Sequence, residues 1–229
     1  MNMNNVAKPL IAEFIGTFAL IFIGVLSIVA VNITQAPNGL NNLTSIGLAH
    51  GLTITVMVAA LGAISGGHFN PAVTSAFMAT GLLNPVLGAM YIAAQLAGAA
   101  AAALLVSGLF GQTFVGMGTP ILAPNVSATT GIIVEIITTF FLVLVCFGTT
   151  LDERAPKSVS SLAIGLTVAV GVMATSPLTG AAMNPARAFG PALASGMWAN
   201  HLVYWVGPII GGVLAGLVQN FILIERKSS

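Results

Sequence analysis

The sequence predicts an all-α membrane protein with six transmembrane helices and two shorter re-entrant half-helices, arranged as an inverted repeat. Three observations lead to this fold class. The composition is that of a polytopic membrane protein, with 57% hydrophobic and 5% charged residues and a mean hydropathy of +1.02. Six apolar stretches are long enough to cross a bilayer, which takes about 20 residues each. The tripeptide Asn-Pro-Ala occurs twice, each time at the head of an apolar stretch too short to cross.

The six long stretches are predicted to be spans in chain order. The segment before the first is short and polar, and the apolar run after it is long enough to span, so we expect an anchored helix and not a cleaved signal. The approximate limits of the spans are 9–31, 43–64, 86–109, 131–150, 158–176 and 201–224.

The two short stretches cover about residues 70–80 and 184–195, and each is predicted to start as a helix at its tripeptide. Asn is a preferred helix N-cap, and Pro suits the first helical position. At membrane depth, non-helical backbone is tolerated only where it is buried in protein or lines a water-filled cavity. Two such helix starts therefore predict a pore. The residues concerned are Asn70, Pro71 and Ala72, and Asn184, Pro185 and Ala186.

The first half of the chain resembles the second. Glu13 opens span one in Ala-Glu-Phe-Ile-Gly-Thr-Phe, and Glu135 opens span four in Val-Glu-Ile-Ile-Thr-Thr-Phe. Because each half has three spans, the second half enters the membrane from the opposite side. Inverted repeats of this kind bring equivalent half-helices together near the bilayer midplane. We therefore predict one transmembrane channel domain over residues 1–229, with repeats at about 8–110 and 128–224.

The positions of the basic residues predict the orientation, because cytoplasmic loops carry the excess of Lys and Arg. In a six-span arrangement all but one of them fall on one side. Both termini are therefore expected in the cytoplasm, and we expect a plasma or inner membrane in preference to an internal one. The basic residues on the cytoplasmic side of this arrangement are Lys8, Arg154, Lys157, Arg226 and Lys227.

Arg187, just after the second tripeptide, is the remaining basic residue. A charged side chain at this depth costs at least about 2.5–3.5 kcal/mol on insertion scales, so it should face an aqueous path and bond to carbonyl groups. A snorkelling or ion-paired arginine is the alternative. The N-terminus of each half-helix carries about half a positive charge, which opposes cations at the point where the two meet.

Asn70 and Asn184 can cap their helices through the side-chain oxygen and offer their NH₂ groups to the lumen. A water molecule held by both amides would be oriented with its hydrogens outward, which interrupts a proton-conducting chain. We therefore expect neutral molecules to pass and protons and cations to be excluded.

Glu13 and Glu135 are the only acids within the spans. A proton relay is one interpretation of such residues. Their repeat-related positions favour a scaffold role instead, in which they accept hydrogen bonds from the backbone N–H groups of the re-entrant loops. The loop segments before the tripeptides have little side chain and can turn their carbonyls to the lumen. The expected pore-lining carbonyls are those of Gly66, Gly67, His68, Phe69, Gly180, Ala182 and Met183.

Nothing in the sequence predicts catalysis. The chain contains no nucleophile set, no Cys/His pair at ligand spacing and no Gly-rich phosphate loop followed by Lys, and it has three His and five acidic residues in all. The net charge of +1 gives no field for nucleic acid. We expect no enzyme activity, no metal and no nucleic-acid partner.

The segments Ser-Gly-Gly-His-Phe-Asn-Pro-Ala-Val-Thr (65–74) and Met-Asn-Pro-Ala-Arg-Ala-Phe-Gly-Pro-Ala (183–192) closely resemble the aquaporin or major intrinsic protein family. The similarity covers about residues 8–224. It implies a homotetramer in the lipid bilayer with one pore per subunit, and no cofactor.

The resemblance also implies an outer selectivity filter of four positions, which correspond here to His50, Val172, Ala181 and Arg187. Strict water channels of the family usually carry Phe at the first position and His at the second. The pattern in this chain is similar to that of plant tonoplast intrinsic proteins, a subgroup that often passes ammonia, urea or hydrogen peroxide besides water. Glycerol facilitators carry Asp where this chain has Ala188, so glycerol is disfavoured.

Three functions stay open at this point. The first is a passive channel for water and small neutral solutes (ammonia, urea or hydrogen peroxide) that excludes protons and ions. The second is a glycerol or ammonia facilitator in which water is incidental. The third is a non-conducting junction or adhesion protein on the same fold, which would be marked by a bulky plug at Val172 or Ala181 that this chain lacks.

Overall fold

The computed structural model describes residues 3–34 and 39–225, and within these ranges it is helical with no strand. Six of the helices are long and apolar enough to cross a membrane, and two short ones follow the tripeptides. The predicted fold class is confirmed.

In chain order the helices are α1 (Met3–Ile33), α2 (Gly39–Ser65), α3 (Pro71–Ala79), α4 (Pro85–Phe110), α5 (Gln112–Met117), α6 (Ala128–Thr150), α7 (Ser160–Thr179), α8 (Pro185–Ser195) and α9 (Val203–Val218). A 3₁₀ turn (Lys157–Val159) precedes α7, and a π-helical turn (Gln219–Leu223) follows α9.

The short helices α3 and α8 begin directly after Asn70 and Asn184, as predicted. Both Asn residues have extended backbone, and their side chains accept hydrogen bonds from N–H groups of the first turn. Pro occupies the first helical position in each, where its missing N–H costs no intrahelical bond. α8 ends at Ser195 and is capped by Gly196, whose φ of 77° is a left-handed conformation that favours glycine. Local capping chemistry therefore defines both half-helices.

The two halves of the chain pack in equivalent ways. α1 packs on α2 and α4, as α6 packs on α7 and α9. The half-helix α3 lies against α9, and the half-helix α8 lies against α4. Each half-helix is therefore supported by the last span of the other half. The pair α2 and α7 completes the contact between the halves.

Glycines allow the closest of these contacts. A Cβ on Gly98 would lie 2.3 Å from the carbonyl oxygen of Phe14, and a Cβ on Gly211 would lie 2.2 Å from that of Ile136. These distances are far below van der Waals contact, so only glycine permits the observed separation of α1 from α4 and of α6 from α9. Without a hydrophobic driving force in lipid, such close backbone packing contributes much of the association of spans.

Some helix limits differ from the prediction. α1 begins at Met3, before the predicted start at about residue 9, because the polar residues that precede the apolar segment are also helical. Hydropathy alone does not show where such a polar extension begins. α7 continues to Thr179, past the predicted end at 176, with Pro177 in its last turn. α5 was not predicted, since six residues carry too little periodicity. Arg226 and Lys227, which contributed to the predicted orientation, lie outside the described residues.

The glycine contacts predict a stability difference between two alanine substitutions. Gly211→Ala forces α6 and α9 apart and should destabilise the protein by about 1–3 kcal/mol, the usual cost of overpacking. Gly108→Ala is the control, because a Cβ there meets nothing within 4 Å. Thermal unfolding in detergent should show a lower Tm for Gly211→Ala and an unchanged or slightly higher Tm for Gly108→Ala. Equal Tm values for the two variants would contradict this packing.

Candidate functional site

The first re-entrant loop, between α2 and α3, is held by a buried carboxylate. Glu13 Oε1 accepts hydrogen bonds from Ser65 Oγ at 2.6 Å and from the backbone N–H of His68 at 3.0 Å. Its Oε2 accepts from the backbone N–H of Phe69 at 2.7 Å and from Gln95 Nε2 at 2.7 Å. Glu13 is fully buried, so these four donors replace the water that the carboxylate would otherwise bind.

The second re-entrant loop, between α7 and α8, is held in the same way by Glu135. Its Oε1 accepts from Thr179 Oγ1 at 2.7 Å and from the backbone N–H of Ala182 at 2.9 Å, and its Oε2 accepts from that of Met183 at 2.7 Å. Glu135 is also fully buried. Both glutamates thus make the backbone contacts that a scaffold role requires.

The backbone of the two loops has matching left-handed conformations. Three of the six residues involved are not glycine, and a non-glycine residue in this region costs about 1–2 kcal/mol. The hydrogen bonds to the carboxylates offset that cost, because they satisfy N–H groups that would otherwise be buried without acceptors. The residues are Gly66 (φ 92°), Gly67 (67°) and Phe69 (47°) in the first loop, and Gly180 (79°), Ala181 (48°) and Met183 (49°) in the second.

The N-terminal tips of the two half-helices meet through their asparagines. Asn70 Nδ2 donates to the carbonyl oxygen of Met183 at 2.8 Å, and Asn184 Nδ2 donates to that of Phe69 at 2.9 Å. Each asparagine therefore caps its own helix with its oxygen and bonds the opposite loop with its nitrogen. One N–H of each amide is used in this way, which corrects the expectation that the whole NH₂ group is free for a lumen.

A cavity of about 40 Å³ runs beside the joined tips. A buried site needs at least about 10–15 Å³ to hold one water molecule, so this cavity can hold a short file of them. Its lining includes both tip asparagines and all four residues of the predicted filter. Those residues are Asn70, Asn184, His50, Val172, Ala181 and Arg187.

The predicted carbonyl residues divide into two groups. Gly67, His68, Ala182 and Met183 line the cavity. Gly66, Phe69 and Gly180 are not among its lining residues, and the carbonyl of Phe69 is occupied by Asn184. The tripeptide residues Pro71, Ala72, Pro185 and Ala186 lie in the first turns of α3 and α8 and do not line the cavity either.

Arg187 is almost completely buried, with 7% of its surface exposed. Its Nη1 donates to the carbonyl oxygen of Gly118 at 2.9 Å, and none of the described carboxylates lies within ion-pair distance of it. Gly118 belongs to the connection between α5 and α6, so this loop contributes a backbone carbonyl to the site. His50 Nδ1 donates to the carbonyl oxygen of Ile46 at 2.9 Å within its own helix, which leaves Nε2 for other partners.

Sequence reasoning missed two sets of residues. The apolar lining of the cavity was missed because the spans are apolar on every face, so no periodicity separates a lumen face from a lipid face. The partners of the glutamates carried a signal that could have been used, since Ser65 and Thr179 each stand five residues before their asparagine. The apolar lining residues are Leu20, Ile54, Val73, Leu142, Cys146, Ile164 and Val168.

The carboxylate contacts predict a graded loss of stability. Glu135→Ala leaves the buried N–H groups of Ala182 and Met183 without acceptors, at a cost of about 1–3 kcal/mol each. Glu135→Gln keeps one acceptor oxygen and should lie between this variant and the unchanged protein. Glu153→Ala, at an exposed position outside the spans, is the control. The readouts are yield of monodisperse protein and Tm in detergent. A Glu135→Ala variant as stable as the control would rule out the scaffold role.

The chain is similar to known membrane proteins over almost its whole length. The profile of the family described as major intrinsic protein matches residues 1–219. The chain is 44% identical over 224 residues to "Aquaporin TIP4-4" from Zea mays, covering 96% of this chain and 88% of that protein. It is 44% identical over 223 residues to "Aquaporin TIP4-1" from Arabidopsis thaliana, covering 96% and 87%. The fold is similar to the X-ray structure of the aquaglyceroporin from Plasmodium falciparum, with a TM-score of 0.82, 25% identity and coverage of 95% and 97%.

Proposed function

The chain belongs to the major intrinsic protein family, a family of membrane channels and not of enzymes, and we propose that it passes water together with small neutral solutes. Ammonia, urea and hydrogen peroxide are the solutes in question, and protons and ions are excluded. The observation that carries this proposal is the cavity beside the two joined asparagine tips. Flow is passive, down an osmotic or concentration gradient.

The central constriction lies where α3 and α8 meet. The two helix N-termini direct partial positive charge at one point, which opposes cations. Each asparagine amide keeps a second N–H besides the one that bonds the opposite loop. A water molecule that accepts from both amides points its own hydrogens away from the centre, so a proton cannot pass along the file.

The outer constriction is formed by His50, Val172, Ala181 and Arg187. Arg187 supplies a fixed positive charge, and its bond to the Gly118 carbonyl holds it against one wall. Val172 and Ala181 are small and apolar, so they leave room for solutes somewhat larger than water. This composition supports passage of ammonia or urea more than strict selection of water.

A glycerol or ammonia facilitator with incidental water flow is the second candidate. The similarity to a solved aquaglyceroporin supports it, whereas Ala188, in place of the Asp of glycerol facilitators, argues against glycerol. The non-conducting alternative would need a plug, and the small side chains at Val172 and Ala181 do not provide one.

Assembly and location complete the proposal. The chain is a multi-pass membrane protein. We place both termini in the cytoplasm, on the side of Lys8, Arg154 and Lys157, and propose a homotetramer with one pore per subunit. The similarity to TIP aquaporins, the tonoplast subgroup that the filter pattern resembles, favours an internal membrane over the plasma or inner membrane expected from the sequence.

Osmotic shrinkage of liposomes tests the proposal. Vesicles that contain the protein should shrink faster than empty vesicles after a hyperosmotic jump, with a low activation energy, while a pH gradient across them decays no faster than in the empty ones. Light scattering measures the first and an entrapped pH dye the second. Correctly folded protein that leaves shrinkage unchanged, or that dissipates the pH gradient, would refute the channel proposed here.

Two substitutions test the outer filter. His50→Phe together with Val172→His adds bulk and moves the polar edge across the opening, so the ratio of ammonia to water permeability should fall, on the order of tenfold for a difference of about 1.4 kcal/mol. Uptake of methylammonium, urea and glycerol in the same vesicles separates the candidate solutes. Leu202→Ala, at a side chain 75% exposed on the outside of the fold, is the control. An unchanged ratio in the double variant would remove these residues from the filter.

A further inference from the structure

Two buried tyrosines occupy equivalent positions in the two halves. Gly98 in α4 packs against the carbonyl of Phe14, the residue after Glu13. Gly211 in α9 packs in the same way against the carbonyl of Ile136, the residue after Glu135. Tyr91 and Tyr204 each stand seven residues before that glycine. The repeat therefore places the two tyrosines at corresponding points of the two halves.

The hydrogen bonding of these tyrosines differs. Tyr91 Oη donates to the carbonyl oxygen of Ser65 at 3.0 Å. Tyr204 is 1% exposed, and its Oη has no hydrogen-bond partner among the described residues. A buried hydroxyl without a partner is costly, so such a group requires an explanation.

The buried carboxylates of the two halves differ in their hydrogen bonds as well. Oε2 of Glu13 accepts two hydrogen bonds, one of them from the amide of Gln95. The residue of α9 that corresponds to Gln95, three before the glycine, is Pro208, which has no N–H to give. Oε2 of Glu135 accepts only the bond from Met183 within the described part of the chain.

The filter arginine supplies a third incompletely bonded group at this place. Arg187 Nε is buried and has no partner in the ranges that the structure describes. Tyr204 lies one helical turn before Gly207, where a Cβ would lie 2.6 Å from Glu135 Cβ, so Tyr204 is on the face of α9 that packs against Glu135. Tyr204 packs in one cluster with Ala182, whose N–H bonds Glu135, and with Ala188, the neighbour of the arginine.

We infer that a water molecule is bound behind the filter, where it accepts hydrogen bonds from Tyr204 Oη and Arg187 Nε and donates one to Glu135 Oε2. Three bonds are the usual number for a buried water. All three protein groups then have a hydrogen-bond partner. The water donates to Glu135 Oε2 as the Gln95 amide donates to Glu13 Oε2 in the first half of the chain.

The inference deepens the proposed function and rests on it, because it makes Tyr204 a positioning residue for Arg187. The Gly118 carbonyl holds Nη1 and the water holds Nε, so the planar guanidinium is fixed at two points. Tyr204→Phe removes one of the three partners of the water and so weakens the binding of the water to Arg187 Nε. The hydrogen bond from Nη1 to the Gly118 carbonyl then remains as the firm contact of the guanidinium. The guanidinium then moves more freely, and solutes larger than water pass the filter more easily.

Tyr204→Phe should therefore raise the ratio of urea to water permeability by about three- to tenfold, the population change expected for one lost hydrogen bond. Tyr91→Phe is the matched control, since it removes the equivalent hydroxyl on the Glu13 side and should leave the ratio unchanged. Both variants keep an aromatic ring, and Tm in detergent verifies folding. An unchanged ratio in folded Tyr204→Phe, or an equal rise in both variants, would overturn the positioning role.

A density map of the unchanged protein that resolves ordered water decides the site itself. The expected result is a water within about 3.2 Å of Tyr204 Oη and Arg187 Nε. A direct bond from Tyr204 to a protein carbonyl, or no density there, would overturn the inference. If the unchanged protein conducts water, but the map shows no water at this site and the permeability ratio does not rise in Tyr204→Phe, only this inference is refuted. If it does not conduct, the proposed function fails and the map alone judges the water site.

Discussion

The rest of this structure depends on the need to satisfy backbone N–H groups where the chain leaves helical geometry inside a membrane. The hydrocarbon core of the bilayer offers no hydrogen-bond acceptors, so each re-entrant loop needs an acceptor from within the protein. Glu13 and Glu135 supply it, each bonding two consecutive backbone N–H groups before the tripeptide. These bonds stabilise left-handed residues that would otherwise relax, and the left-handed turns aim Asn70 and Asn184 at each other. Placement of the tips is thus a consequence of two carboxylates set at equivalent points of an inverted repeat.

The proposed selectivity follows from the groups that the scaffold exposes to the cavity. In the proposed channel, the two amides and the two helix N-termini at the joined tips bind a neutral molecule and repel a cation. At the outer end one arginine is held by a backbone carbonyl, against small apolar side chains. The cavity between these two places is lined largely by apolar residues, so in the proposed channel a permeating molecule meets few strong binding groups and is released readily. Conduction requires this weak binding as much as it requires an opening.

Much of the fold was readable from the sequence because the relevant signals are local. Apolar length defines the spans, and an Asn followed by Pro defines each half-helix start, so the limits of α3 and α8 were predicted almost to the residue. Glu13 and Glu135 stood out because each is a lone charge in an apolar span. The bonds from each asparagine to the opposite loop were not predictable, since they join residues more than one hundred positions apart. The same is true of Gly118, whose carbonyl carries no signature in the sequence, and of the lumen side of uniformly apolar helices.

The central claim is that two asparagine-headed half-helices meet tip to tip beside a wet lumen. A density map of the protein in lipid, at a resolution that shows ordered water, tests it most directly. The account predicts a file of water molecules through the cavity, with one molecule within hydrogen-bond distance of both Asn70 Nδ2 and Asn184 Nδ2. A cavity filled by side chains at this level, or asparagine amides separated from the carbonyls of Phe69 and Met183, would contradict it.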